Sequence, residues 1–265
     1  MNKNSSTFTF TFAAVMVIVV ATLLASAAIG LKPMQEKNAE LEKKQNILSS
    51  VNIIVERDAA EKAFNEYIVE RLVVNNKGEV LDGDPFTIDL KQESKKDEED
   101  RAYPLFVAKI EGNKYYIIPM RGKGLWGPIW GYVAIENDFN TIYGVSFDHK
   151  GETPGLGAEI ASPFFQKQFK GKKIMDKNGG FVCVKIVKGG GAGNNPHGFD
   201  GISGGTITSV GLSNMLENTL ANYIAYFKSV SAPISEEMPA EEPVSEENME
   251  TEAVSDSSTV VATTN

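Results

Sequence analysis

Ten residues, Asp200 to Ser209, set four hydroxyl side chains (Ser203, Thr206, Thr208 and Ser209) among the glycines Gly201, Gly204 and Gly205. Glycine lets backbone approach a ligand closely, and successive free N–H groups form an anion-binding nest. The segment from Val210 to Phe227 has helical spacing, with Leu212, Leu216, Leu220, Ile224 and Phe227 along one side. Thr208 or Ser209 is the expected N-cap of that helix. A hydroxyl-rich glycine turn at a helix start is suited to seat a phosphate. The plainer alternative is an N-cap turn without a ligand.

Three other stretches bear on the same chemistry. Gly122-Lys123-Gly124-Leu125-Trp126-Gly127 has the spacing of a dinucleotide site, but Pro128 and a β-like run follow where a helix is required. That excludes a Rossmann-type nucleotide site here. Glu152-Thr153-Pro154-Gly155-Leu156-Gly157 is a tight turn with one backbone angle fixed by proline. Lys188 opens a glycine-rich run, Gly189 to Gly193, without the Gly-Lys-Ser/Thr of a P-loop. Its ammonium either offsets a phosphate charge or points into water.

The Asp200–Thr208 stretch resembles the flavin-attachment motif of the FMN-binding domain family, with Gly205 standing where alanine is usual. Arg121 to Gly127 and Glu152 to Gly157 resemble two further segments of that family, in the expected order. The resemblance spans roughly residues 5–229. It implies an α+β fold: a single N-terminal transmembrane helix, then an FMN-binding domain of mostly antiparallel sheet with flanking helices. It also implies FMN joined covalently to Thr206 through a phosphoester, made by a separate flavin transferase. Gly204 and Gly205 would give clearance and Ser203 and Thr208 would donate to the phosphate oxygens, while Trp126, Glu152, Thr153, Leu156 and Gly157 would lie at the flavin. The expected function is electron carriage in a membrane complex, a sodium-translocating NADH:quinone oxidoreductase, with the other subunits as partners. No complete active site is expected in this chain alone. The Rnf electron-transport complex is the alternative, and the segment Gly124 to Gly131 fits the first better. An anchored, exported scaffold or binding protein without flavin is the rival of another class.

Composition narrows the field. The chain has 265 residues, 26 basic and 35 acidic, for a net charge of −9. Nine acids between Glu236 and Asp256, with no Lys or Arg after Lys228, account for that excess. The rest is neutral and offers no basic surface for nucleic acid. Cys183 is the only cysteine, so neither an internal disulfide nor a cysteine-held iron–sulfur cluster is possible. It is expected as a buried small hydrophobe. His149 and His197 lack metal-site spacing, and no metal is expected.

The elements that must position these residues follow from patterning. Phe10 to Ile29 is an uncharged, mostly apolar run long enough to cross a bilayer, with a cleaved signal peptide as its rival. Lys32, Lys37, Lys43 and Lys44 follow it and only Lys3 precedes it, which by charge alone keeps the domain in the cytoplasm. The family resemblance instead implies the bacterial inner membrane with a periplasmic domain. The expected organisation is an anchor segment at 1–32, a helical stalk and domain start at 33–102, a core at 103–230 and a disordered acidic tail at 231–265. Residues 34–73 read as helical, with Ile68 and Leu72 on an apolar face. Residues 91–101 read as a solvated loop. Strands are expected over 115–120, 131–136, 142–148 and 181–187, and a short helix over 161–169.

Overall fold

The computed structural model describes residues 6–231; the acidic tail from 232 onward and Lys3 lie outside them. Helix α1 runs from Ser6 to Ser50, and its apolar N-terminal part is wholly exposed, with a mean hydropathy of 2.6 over its most apolar window. By length and composition it can cross a membrane. Thr11 and Thr22 donate their hydroxyls to the carbonyls of Thr7 and Ile18, so neither carries an unmet polar group on this apolar surface. The last turns of the same helix bury Lys44, Ile47, Leu48 and Ser50 in the domain.

Helix α2 (Arg57–Tyr67) turns back beside α1, and the chain passes directly into β1 (Ile68–Val74). The helical reading of 34–73 is therefore corrected at its end. Ile-Val-Glu-Arg-Leu-Val-Val is rich in β-branched residues that lose rotamer freedom in a helix. Pairing with β3 decides the outcome, and places Leu72 opposite Leu105.

The main sheet has six antiparallel strands in the order β2-β1-β3-β4-β5-β6. The members not yet placed are β2 (Val80–Leu81), β3 (Tyr103–Ile110), β4 (Asn113–Lys123), β5 (Pro128–Ile135) and β6 (Ile142–His149). The sheet thus begins well before residue 103. Between β2 and β3 a short helix α3 (Leu90–Glu93) interrupts what reads as loop. Glu93 is buried there, accepting from the Ala102 amide and the Lys96 ammonium.

Alternating residues separate the two faces of the sheet. Phe106, Ala108, Ile117, Tyr132 and Ala134 pack under Ile47, Leu48 and Phe64 of α1 and α2. Leu105, Val107, Ile118, Met120 and Val133 face the opposite way, toward the C-terminal helices. Those are α5 (Thr206–Leu220) and α6 (Ile224–Ser231), joined by a 3-10 turn at Ala221–Tyr223 where one helix was expected.

Between sheet and helices lie a 3-10 turn (Gly157–Ala161), the short helix α4 (Pro163–Gln166), and a parallel pair, β7 (Lys185–Val187) with β8 (Gly198–Asp200). The expected strand over 181–187 is realised only in its last three residues. Cys183 sits at φ 57°, outside strand geometry, and is fully buried as expected.

Candidate functional site

Three segments distant in sequence meet at one end of the sheet. The first is the turn between β4 and β5, in which Lys123 pairs with Pro128 and the Gly124 amide donates to the Gly127 carbonyl at 2.8 Å. It carries Leu125 and Trp126 outward. Trp126 is 69% exposed and is not a core residue.

The second segment is Glu152 to Gly157. Pro154 and Gly155 are its central residues, the Leu156 amide donates to the Thr153 carbonyl at 3.1 Å, and Gly155 has φ 75°. That is the backbone a proline-glycine turn of type II requires.

The third is the turn from β8 into α5. Pairing of Val187 with Asp200 fixes where it starts, and the Gly205 amide donates to the Ile202 carbonyl at 2.9 Å. Gly204 holds φ 71°, which requires glycine; a Cβ there would also displace the end of the Leu156 side chain, 2.7 Å away at Cδ2. At Gly205, a Cβ would stand 2.9 Å from Ile202 Cγ2, so alanine fits only if Ile202 gives way.

Between these segments lies a cavity of about 230 Å³ lined by Leu125, Trp126, Glu152, Thr153, Leu156, Gly157, Gly204, Gly205, Thr206, Ile207 and Thr208. Nine of the eleven residues singled out from the sequence therefore share one cavity. Ser203 faces a neighbouring cleft of about 610 Å³ across the Asp200–Ser203 turn. Lys188 is exposed beyond β7 and lines neither. Leu125 and Ile207 complete the apolar rim but are not among the residues the sequence singles out. The signal for Ile207 is its apolar side chain, exposed within the polar run Gly-Gly-Thr-Ile-Thr-Ser.

The four hydroxyls differ sharply in their surroundings. Helix α5 begins at Thr206 with Gly205 as its N-cap and no side-chain cap, so neither Thr208 nor Ser209 caps it. Both are buried. Ser209 donates to the Gly205 carbonyl at 2.9 Å and accepts from the Ile202 amide at 3.0 Å. Thr208 donates to Glu152 Oε2 at 2.6 Å, so its proton is not free for a phosphate. Thr206 is exposed on the first turn of the helix.

Glu152 is only 4% exposed. Oε1 accepts from the Trp126 amide at 2.9 Å, and the Glu152 amide donates to His149 Nδ1 at 3.2 Å. Burial alone would push its carboxyl up. The Thr208 hydroxyl and the amides of Trp126, Leu125 and Gly127 outweigh that and hold it below the ordinary carboxylate value.

An uncapped helix start with no acidic residue of its own in the first turn, an exposed threonine there and an adjoining apolar shelf suit a flavin phosphate and ring. The FMN-binding domain family matches residues 124–221, the span that contains all three segments. The fold and site define an FMN-binding domain.

The particular family follows from relatives. The C subunit of the Na(+)-translocating NADH-quinone reductase of Vibrio vulnificus (strain YJ016) is 34% identical over 212 residues, covering 74% of this chain and 83% of that one. The counterpart from Neisseria meningitidis serogroup A is 35% identical over 236 residues, covering 80% and 90%. The crystal structure of the same protein from Parabacteroides distasonis matches with a TM-score of 0.69 at 45% identity, over 74% of this chain and 96% of that one. Shewanella oneidensis NqrC matches at 0.61 and 28%, over 74% and 98%. The chain belongs to the NqrC family, the C subunits of the Na(+)-translocating NADH-quinone reductase.

Proposed function

We propose that FMN is held in the 230 Å³ cavity through a phosphoester to Thr206 Oγ1, and that the chain relays electrons between neighbouring subunits of a Na(+)-translocating NADH-quinone reductase. One observation carries the attachment. Thr206 alone of the four hydroxyls is exposed at the uncapped start of α5 beside the apolar shelf, whereas Thr208 and Ser209 are buried and bonded and Ser203 faces the other cleft. When bound, the flavin supplies the redox chemistry.

The chain's own residues tether and orient. A phosphodiester keeps one negative charge, and the first N–H groups of α5, with the positive end of its dipole, favour that charge. Trp126, Leu125, Leu156 and Ile207 offer apolar surface to the ring and keep water from one side of it. The cavity is smaller than the roughly 300–1,000 Å³ of a small-molecule site that encloses its ligand. A flavin there is exposed along one edge, as exchange of electrons with a neighbour requires.

Attachment forms the bond from Thr206 Oγ1 to phosphorus as a pyrophosphate P–O bond of the donor breaks. The threonine proton passes to a base of the separate flavin transferase, because an unaided alcohol is too weak a nucleophile. The partners are that enzyme and the other subunits of the complex.

We place the domain on the periplasmic side of the inner membrane, held by α1. Lys44 is buried in the fold and Lys43 donates to the Phe86 carbonyl, so both serve packing. That leaves Lys32 and Lys37 beside the span as a weaker cytoplasmic signal. Cys183 is buried, so Lys188→Cys provides one labelling site; failure of a membrane-impermeant maleimide to reach it from the periplasm would reverse this topology.

The test of attachment is Thr206→Val, which nearly keeps shape and removes the oxygen. Loss of flavin fluorescence from the denatured band in a gel is expected, with Ser203→Ala still labelled. Covalent flavin in the Thr206→Val protein would refute the assignment.

A further inference from the structure

Both oxygens of Glu152 are engaged by the protein itself. Trp126 and Thr208 donate to Oε1 and Oε2, and the amides of Leu125 and Gly127 also turn toward the carboxylate. The β4–β5 turn is thus an anion-binding nest whose anion belongs to the same chain. Two motif glycines serve this contact. A Cβ on Gly124 would lie 2.5 Å from Oε1, and one on Gly157 would lie 2.6 Å from Oε2 and 2.5 Å from Thr208 Oγ1. Neither could be accommodated without moving the carboxylate. These glycines, from two separate motifs, make room for Glu152.

We propose that Glu152 is a positioning residue of the flavin site: its carboxylate ties the turn bearing Trp126 to the first turn of α5, and so sets the spacing between Trp126 and Thr206. This rests on the reading of the cavity as the flavin site. Glu152 lines the cavity, but both its carboxylate oxygens are taken by Trp126 and Thr208, and it acts through them. A buried carboxylate keeps its charge only if its donors stay in place, and the donors stay in place only while it is charged. Glutamine at this position has nearly the same shape, but one of its two acceptor oxygens becomes a donor and the charge is lost.

The test uses the full-length chain in detergent, with hydrogen exchange followed by mass spectrometry on the peptide covering 122–130. Glu152→Gln is expected to exchange about tenfold faster at the 125–127 amides, the effect of losing a charged acceptor. In flavin-loaded protein the visible circular dichroism of the flavin should change as Trp126 shifts. The midpoint potential should rise, because removal of a nearby negative charge favours reduction. A purely structural contact remote from the flavin would leave both flavin readings unmoved.

The exchange measurement is repeated in the Thr206→Val background, which decides the brace without any flavin. Unchanged exchange in both backgrounds overturns the proposal even if flavin is attached as assigned. Faster exchange with unchanged circular dichroism and potential also overturns it, because Glu152 then holds the turn without positioning anything at the flavin. Absence of covalent flavin from the wild-type chain would instead refute the attachment at Thr206. If Glu152→Gln does not fold, Thr208→Val takes its place and is expected to speed exchange at the same amides by a smaller factor.

Discussion

Gly211 lies in the interior of α5, where the intrinsic preference for alanine over glycine is worth about 1 kcal/mol. On propensity alone, Gly211→Ala stabilises. The structure gives the opposite sign. A Cβ at this position would stand 2.2 Å from the Lys123 carbonyl oxygen, at the end of β4. That oxygen belongs to backbone within a paired strand, so it cannot rotate aside like a side chain.

Relief requires α5 to lift from the sheet by about 1 Å, toward an ordinary contact distance of about 3.5 Å. Overpacking of this kind costs about 1–3 kcal/mol or more. Against fixed backbone the cost falls at the upper end, about 2–3 kcal/mol, and the helix gain offsets about 1 kcal/mol of it, leaving a net loss of about 1–2 kcal/mol. For a domain of this size that lowers the melting temperature by about 2–8 °C. Thermal unfolding followed by far-ultraviolet circular dichroism measures it directly. An unchanged or raised melting temperature would refute the claim that glycine is kept here for close approach. The same displacement moves Thr206 away from the Trp126 turn, so reduced flavin content should accompany the loss of stability.

Two further outcomes follow from buried charge. The folded Glu152 carboxyl lies below its ordinary value of 4.5, so its contribution to stability is complete above that pH and is lost as pH falls through the folded value. Melting temperature measured from pH 6 downward should therefore fall more steeply in the wild-type chain than in Glu152→Gln; parallel curves would show that the carboxylate contributes nothing. Lys172 is buried and donates to the carbonyls of Ala192, Gly193 and Asn195 at 2.9, 3.2 and 2.7 Å. Lys172→Met leaves those acceptors unmet and should cost about 2–3 kcal/mol, read as a lower denaturant midpoint together with faster exchange over 189–196.

Much of the site is legible in the sequence because its chemistry is local. Pro154 and Gly155 specify their own turn, and the glycines before Thr206 specify theirs. That the three turns share one cavity is carried not by those local signals but by the resemblance of the segments to the FMN-binding domain family. What patterning does not supply is the partner of each polar group. Thr208 reads as a helix cap in sequence, yet its proton goes to Glu152, 56 positions earlier and on another loop. Glu152, which the family resemblance puts at the flavin, does line the cavity, but nothing local says that three amides of a distant hairpin surround its carboxylate.

The fold shows the same division. The central strands alternate and are legible, while β1 lies beside a helix and has no turn signal before it. Only its pairing with β3 fixes Ile68 to Val74 as extended. Cys183 reads as part of a strand because its neighbours are β-branched, and no local rule foretells its positive φ.

Helix α1 enters the domain without a break, from the exposed apolar stretch to the buried pair Ile47 and Leu48. Pro33 removes one backbone hydrogen bond within this mast, and the helix continues through it. From Leu31 to Ile47 the rise is about 24 Å at about 1.5 Å per residue, which, with the apolar stretch in a bilayer, would set how far the body stands from it. Each residue added to or removed from that interval changes the height by about 1.5 Å and turns the domain by about 100° about the helix axis. A single inserted residue therefore aims the face bearing Trp126 and Thr206 at a different neighbour, whereas seven inserted together, close to two full turns, nearly restore its bearing and raise it by about 10 Å. The length of this helix, counted in residues, is a specification of which way the face bearing Trp126 and Thr206 looks.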